Sequence, residues 1–161
     1  MWCNTCYILR VQYTKFDGKV GCRPSKPAKQ RLKEKLRKLT SRKLPGTFEE
    51  IVKRINQTTV GWINYYGIAN MKTFIKVTQQ WLNHRLRQLI WKRWKKPKTR
   101  YAKLRQYGIE HDDAMKMANS RKGYWRLSRS EILHRAITSE KLIKWGLKDL
   151  TQLYERRYLK D

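Results

Sequence analysis

Residues 72–97 read KTFIKVTQQWLNHRLRQLIWKRWKKP, and this stretch decides the fold class. Phe74, Val77, Trp81, Leu82, Leu86, Leu89 and Ile90 recur at helical spacing and run down one side. The pattern predicts a helix from about Lys72 to Lys96. Pro97 is expected to end it, because a proline steers its predecessor out of the helical region. The last turns hold Arg85, Arg87, Lys92, Arg93, Lys95 and Lys96. Positive charge at a helix C-terminus suits the dipole, but six cations exceed what a dipole needs and imply a second anion.

Toward the N-terminus the helical pattern continues. After Pro24 and Pro27, Leu32, Leu36 and Leu39 mark a narrow apolar stripe, with Lys29, Arg31, Lys33, Lys35, Arg37 and Lys38 around it. The cations from Lys29 to Arg42 fit a solvated face as well as a binding one. Leu44, Pro45 and Gly46 break that helix. Thr47 and Glu50 form a Thr-x-x-Glu capping box that satisfies orphan amides at the next helix start. Phe48, Ile51, Val52, Ile55, Trp62, Ile63 and Tyr66 follow at helical spacing, and Gly67 and Asn70 loosen the end.

Downstream the chain predicts shorter helices. Tyr101 to Tyr107 ends at Gly108, and Asp112 or Asp113 is placed to cap Ala114 to Asn119. Ser128 and Glu131 fit a second capping box, with Leu127 and Ile132 as its hydrophobic staple. Leu142, Ile143 and Trp145 end at Gly146. Leu150, Leu153 and Tyr154 mark a final amphipathic helix. Only the start departs from this. Tyr7 to Cys22 reads as extended, with Tyr7, Leu9, Val11 and Tyr13 alternating, and Asp17-Gly18 supplies a hairpin turn. A lone hairpin is marginal in water and must pack on something; its exposed edge makes self-association an expectation. The predicted fold class is mainly α, a small helical bundle with an N-terminal β-hairpin.

Lys+Arg number 39 against 12 Asp+Glu, a formal charge of +27 over 161 residues. That excess repels itself in the compact state and calls for a polyanion. Apolar residues at 40% are enough for a core, which argues against a disordered basic tail. No apolar run is long enough to span a bilayer, and Met1 to Val11 lacks the basic start and apolar block of a secretory signal. A cytoplasmic location and no membrane partner are the expectations. The 7 Trp and 9 Tyr favour nucleic acid over lipid, because aromatic rings stack on unpaired bases.

Catalytic chemistry finds little support. Glu110, His111, Asp112 and Asp113 are the one local group with metal-ligand chemistry, but they precede a helical pattern and read better as caps. His84, His111 and His134 are dispersed, and no glycine pattern cradles a phosphate. Cys3 and Cys6 have zinc-site spacing, yet no second pair or nearby His completes it, so with Cys22 they read as reduced thiols. No catalytic residue, no metal and no cofactor is expected.

The basic stretches are the informative feature. Trp91-Lys92-Arg93-Trp94-Lys95-Lys96-Pro97-Lys98-Thr99-Arg100-Tyr101 alternates cations and aromatics, as does Asn119-Ser120-Arg121-Lys122-Gly123-Tyr124-Trp125-Arg126, which is read as a loop. Some of the tryptophans belong in a core. Beyond that, both suit a phosphate-binding ridge with rings able to stack. The predicted RNA-binding residues are Arg85, Arg87, Lys92, Lys95, Lys96, Lys98, Arg100, Arg121, Lys122 and Arg126. The predicted stackers are Trp91, Tyr101 and Trp125.

The same stretches carry a resemblance. Gly61-Trp62-Ile63-Asn64-Tyr65-Tyr66, then Trp81, Arg85-Leu86-Arg87 and Ile90 to Arg100, resemble successive blocks of the group II intron maturase-specific domain. Leu104, Gly108, Ala118 to Arg126, Gly146-Leu147, Leu150 and Tyr154 continue the order, so the likeness runs from about Lys26 to Tyr158. Asp17 to Pro24 is similar to the hairpin at the end of a reverse transcriptase palm. The resemblance implies two parts: residues 1–25 as the end of a palm, and residues 26–161 as a thumb-like helical RNA-binding domain. It implies group II intron RNA as partner, with the RNA itself performing splicing. The chain lacks the polymerase Tyr-x-Asp-Asp motif and any HNH nuclease spacing, so the alternative reading is a non-catalytic thumb fragment of a split or decayed reverse transcriptase, one that binds nucleic acid non-specifically or supplies the thumb to a separately encoded palm.

Overall fold

The computed structural model describes residues 5–6, 11–16 and 19–158. Three short strands open it: β1 (Thr5–Cys6), β2 (Val11–Phe16) and β3 (Lys19–Pro24), antiparallel in the order β1-β2-β3. Phe16 pairs with Lys19 and Val11 with Pro24, which is a hairpin register with two residues between the strands. The Asp17-Gly18 turn, the Tyr7 and Leu9 positions and Cys3 lie outside the described residues. The hairpin is fastened where the Asn70 amide donates to Cys22 O at 3.0 Å. The Cys22 thiol donates weakly to Ile68 O at 3.9 Å.

Nine helices follow among the described residues: α1 (Lys26–Leu39), α2 (Phe48–Tyr66), α3 (Lys72–Arg93), α4 (Pro97–Gln106), α5 (His111–Ala118), α6 (Tyr124–Ser128), α7 (Glu131–Ala136), α8 (Ser139–Lys144) and α9 (Leu150–Tyr158). The architecture is mainly α, as the periodicity predicts. Ser25 caps α1, whose Leu32 and Leu36 are buried. At α2 both halves of the capping box form: Glu50 N donates to Thr47 Oγ1 at 3.2 Å and Thr47 N to Glu50 Oε2 at 3.1 Å.

α3 is the central element, contacting α6 and α9. It is buried on one side at Ile75, Thr78, Gln79 and Leu82, and all round from Leu86 to Trp91. The apolar stripe therefore runs through Ile75, while Val77 is 49% exposed. A surface helix shows one face; a helix covered from several sides shows none, and the period-based reading misses its phase there. α3 stops at Arg93, with Trp94 as its C-cap. Pro97 does not end it but occupies the first turn of α4, where the missing N–H costs nothing.

Two caps differ from expectation. Asp112 and Asp113 sit in the first turn of α5, with Glu110 at the N-cap making no side-chain bond. Asp113 instead pairs with Arg135 at 2.8 Å. The cap of α7 is Ser130, whose Oγ accepts from Leu133 N at 3.4 Å. Ser128 ends α6 and donates to Trp125 O at 2.7 Å, so Leu127 and Ile132 are not a staple for that cap.

Buried polar groups tie the C-terminal helices to α3. Gln79 accepts from Leu150 N at 3.1 Å and donates to Asn83, which donates to Ser139 Oγ at 3.0 Å. The Tyr154 hydroxyl donates to Ala69 O at 2.9 Å and accepts from Met71 N at 3.2 Å, satisfying an amide at the uncapped start of α3.

Candidate nucleic-acid interface

Where α3 gives way to α4, the chain turns a corner through Trp94, Lys95 and Lys96. The loop between α5 and α6, residues 119–123, lies against that corner. Between them is a cleft of about 590 Å³ lined by Trp91, Pro97, Arg100, Arg121, Lys122 and Tyr124 among others, with no Asp or Glu among the described residues. The fold thus places the two basic–aromatic stretches on the walls of one cleft.

Arg100 is the most constrained cation in it. Its Nε donates to Trp94 O at 2.7 Å. Its guanidinium carbon lies 5.0 Å from the centroid of Trp91 and 6.0 Å from that of Tyr124. Its Nη groups take no protein acceptor among the described residues. A guanidinium held by stacking and one hydrogen bond, with its fork free, is pre-organised to grip a phosphate at two oxygens. Lys95, Lys96, Lys98, Arg121, Lys122 and Arg126 are exposed. None of their side chains has an acidic or hydrogen-bond partner among the described residues. Glycine at 123 has nothing within 4 Å of where a Cβ would stand, so open space borders the loop there.

Several predicted residues have other work. Trp91 is fully buried, and Arg100 lies over its ring, so it cannot stack on a base. It is the floor under Arg100. Arg87 is 4% exposed; its Nε donates to Ile137 O at 2.7 Å and its Nη1 contacts His134 Nε2 at 3.4 Å. Burial lowers its pKa, though a guanidinium stays charged near neutrality. It holds α3 to the α7–α8 turn, with its side chain away from the surface. Arg85 is half-buried and donates to Thr40 Oγ1, Thr40 O and Arg37 O, closing the end of α1. Lys92 donates to Arg42 O. Both sit on a neighbouring basic surface rather than in the cleft.

Of the predicted stackers, Trp125 is 38% exposed and rides on α6, since residues 124–128 are helical rather than loop. Tyr101 is half-buried, its hydroxyl 2.8 Å from His111 Nδ1. Sequence reasoning missed Tyr124 and Arg42, whose guanidinium carbon lies 5.7 Å from the Tyr124 centroid. The only signal was the density of cations before the Pro45-Gly46 break, which does not say what they face.

Residues 29–108 match the model of the group II intron, maturase-specific domain. That segment, just under half of the chain, is similar to the group II intron maturase-specific family. The matched segment runs from α1 through α4 to Gly108, so it contains the corner, Arg100 and the end of α1. The wall made by residues 119–124 lies outside it, and there the cleft rests on the fold. No curated protein matches the chain. Among the described residues, no helix is long and apolar enough to cross a membrane, and no three metal-ligating side chains converge.

Proposed function

We propose that this maturase domain binds group II intron RNA through the α3–α4 corner and the α5–α6 loop, and so helps the intron reach its splicing-competent form. The observation that carries the reading is the cleft itself. Arg100, Arg121 and Lys122 converge there without an acid, and Arg100 is held with its fork free. Lys95, Lys96, Lys98 and Arg126 extend the positive surface around it. Phosphate contacts of this kind supply affinity, and the shape of a folded RNA supplies selectivity. Trp125 is the ring available to unpaired bases, since Arg42 and Arg100 lie over that of Tyr124. In this reading residues 26–161 act as the RNA-binding unit and the RNA performs the chemistry.

The test is competition across a salt series, with labelled intron RNA against unrelated structured RNA and duplex DNA. Affinity should fall with a slope of about 0.7–0.9 in log K per log salt for each phosphate neutralised. The intron RNA should keep its advantage as salt rises. Charge reversal at Lys95, Lys98 and Arg121 that left affinity unchanged at moderate salt would sink the reading.

A second reading is favoured by the N-terminal strands and by Tyr65 and Ile68, exposed at 52% and 59% beside the point where β3 is fastened. Residues 1–25 would complete the palm of a separately encoded reverse transcriptase, and the bundle would be its thumb. Primer extension by the mixture but by neither polypeptide alone would support it. Failure of the two to co-purify would remove it.

A further inference from the structure

The basic surface beside the cleft has a construction of its own. The segment from the end of α1 to Gly46 is held down by three cations of α3. Arg85 donates to Arg37 O and Thr40 O, Lys92 to Arg42 O, and Arg93 to Gly46 O at 2.7 Å. Local bonds take further carbonyls: Ser41 N donates to Lys38 O and Leu44 N to Ser41 O. The carbonyls of Arg37, Lys38, Thr40, Ser41, Arg42 and Gly46 are thus taken by donors of the protein itself, and the cationic side chains of the loop are left outside.

Those side chains form a cleft of about 510 Å³ lined by Arg37, Lys38, Ser41, Arg42, Lys43 and Arg85, five cations and a serine. Among the described residues no carboxylate borders it. The crowding is felt within the protein: after burial, Arg37 and Arg42 are the next causes that lower the Arg85 pKa. The Ser41 Oγ accepts weakly from Lys43 N at 3.4 Å, which leaves its hydroxyl proton to donate outward. Like charges gathered by a pinned loop, with a free hydroxyl donor among them, are complementary to a compact anion bearing several oxygens.

We infer that the turn from Arg37 to Lys43, seated on Arg85, is a phosphate-binding site separate from the α3–α4 cleft. Its ligand class is a phosphodiester or a polyphosphate. Arg42 borders this site and also lies on the Tyr124 ring of the first cleft, so the two are adjacent. An RNA strand crossing Tyr124 would lay consecutive phosphates in both. Only that source of the phosphate rests on the RNA reading above; the site itself does not.

The experiment uses the full chain and two ligands. Inorganic pyrophosphate is titrated while backbone amides and arginine Nε–H signals are followed by NMR, and RNA affinity is measured across salt. The expected result is saturable shifts confined to residues 37–43 and the Arg85 side chain. The double variant Lys38→Glu, Lys43→Glu should weaken them at least tenfold, and Ser41→Ala, which keeps every charge, should weaken them several-fold. If RNA occupies the site, the double variant should also lower the RNA salt slope by about 0.7 for each phosphate no longer neutralised. Shifts that never saturate and spread over the whole basic surface would overturn the inference, as would saturable shifts indifferent to the double variant. Saturable pyrophosphate binding with an unchanged RNA slope would support the site and assign it to a free polyphosphate. If Lys98→Glu, Arg121→Glu abolishes RNA binding while the loop variant alters neither ligand, the RNA reading stands and the second site falls.

Discussion

Arg87 and Arg100 carry the same guanidinium, and sequence spacing puts both in one group of RNA contacts. Their surroundings separate them. Arg87 is buried and spends its Nε on Ile137 O; Arg100 is fixed by Trp94 O and Trp91 with its fork open. Arg87→Met should leave Ile137 O unsatisfied and lower stability by about 1–3 kcal/mol. RNA affinity measured well below the melting temperature should not change. Arg100→Lys should do the reverse. It keeps the charge but loses the planar fork and the stacking, so affinity should fall on the order of tenfold with the melting temperature nearly unmoved. Equal effects of both substitutions on affinity would contradict this division.

The histidines beside Arg87 carry a pH dependence. His84 Nδ1 lies 3.3 Å from both Ser128 O and His134 Nε2. In a neutral pair the single His84 Nδ1–H is shared between Ser128 O and His134 Nε2, whose one lone pair faces both His84 and Arg87. Burial first, then the nearby Arg87 charge, lowers the pKa of His134; burial likewise leads at His84, with Arg87 and Arg129 adding to it against the opposing Ser128 bond. Folded values below the ordinary 6.5 mean that the unfolded chain takes up protons first. The pair's contribution to stability is therefore full above about pH 6.5 and is lost as pH falls through the lowered folded values. Thermal melts from pH 8 to pH 5 should show a falling melting temperature, and His84→Gln, His134→Gln should flatten that limb. An identical pH profile in the double variant would exclude the pair as its origin.

At the scale of elements, local chemistry was legible where one pattern had one interpretation. Thr47 and Glu50 follow a chain break at the Thr-x-x-Glu spacing, a motif that closes on itself, and both bonds form. The chain near Ser128 offers two serines, and periodicity does not choose between them. The choice falls to Ser130 because α6 still needs Ser128 for its own last turn. Ser130→Ala should accordingly cost about 1 kcal/mol, read as a lower midpoint in urea. Pro97 shows the same ambiguity, since a proline that cannot continue one helix is well suited to begin the next. That difference converts a straight basic ridge into a corner, and the corner makes the cleft.

For the whole molecule, a charge of +27 is the governing quantity. Among the described residues a single ion pair, Arg135 with Asp113, offsets it. Folding therefore works against long-range repulsion that salt screens. The melting temperature should rise as sodium chloride is increased from low ionic strength. At matched ionic strength it should rise further in phosphate, which can bind the folded clefts. A melting temperature independent of salt would show that the repulsion is relieved within the chain.

The sequence by itself determined the helical class, the family segment, the Thr47 cap and the excess of positive charge. These follow from composition, from period and from contacts only a few residues apart. It could not determine which cations are free. Arg85, Arg87 and Lys92 look outward by composition, yet α3 lies at the centre of the bundle and its charges are drawn onto carbonyls of α1, the following loop and α7. Nor could it place Arg42 on Tyr124, or residues 119–123 against the α3–α4 corner. Those pairs are far apart along the chain, and only the packing of helices around α3 fixes their distance.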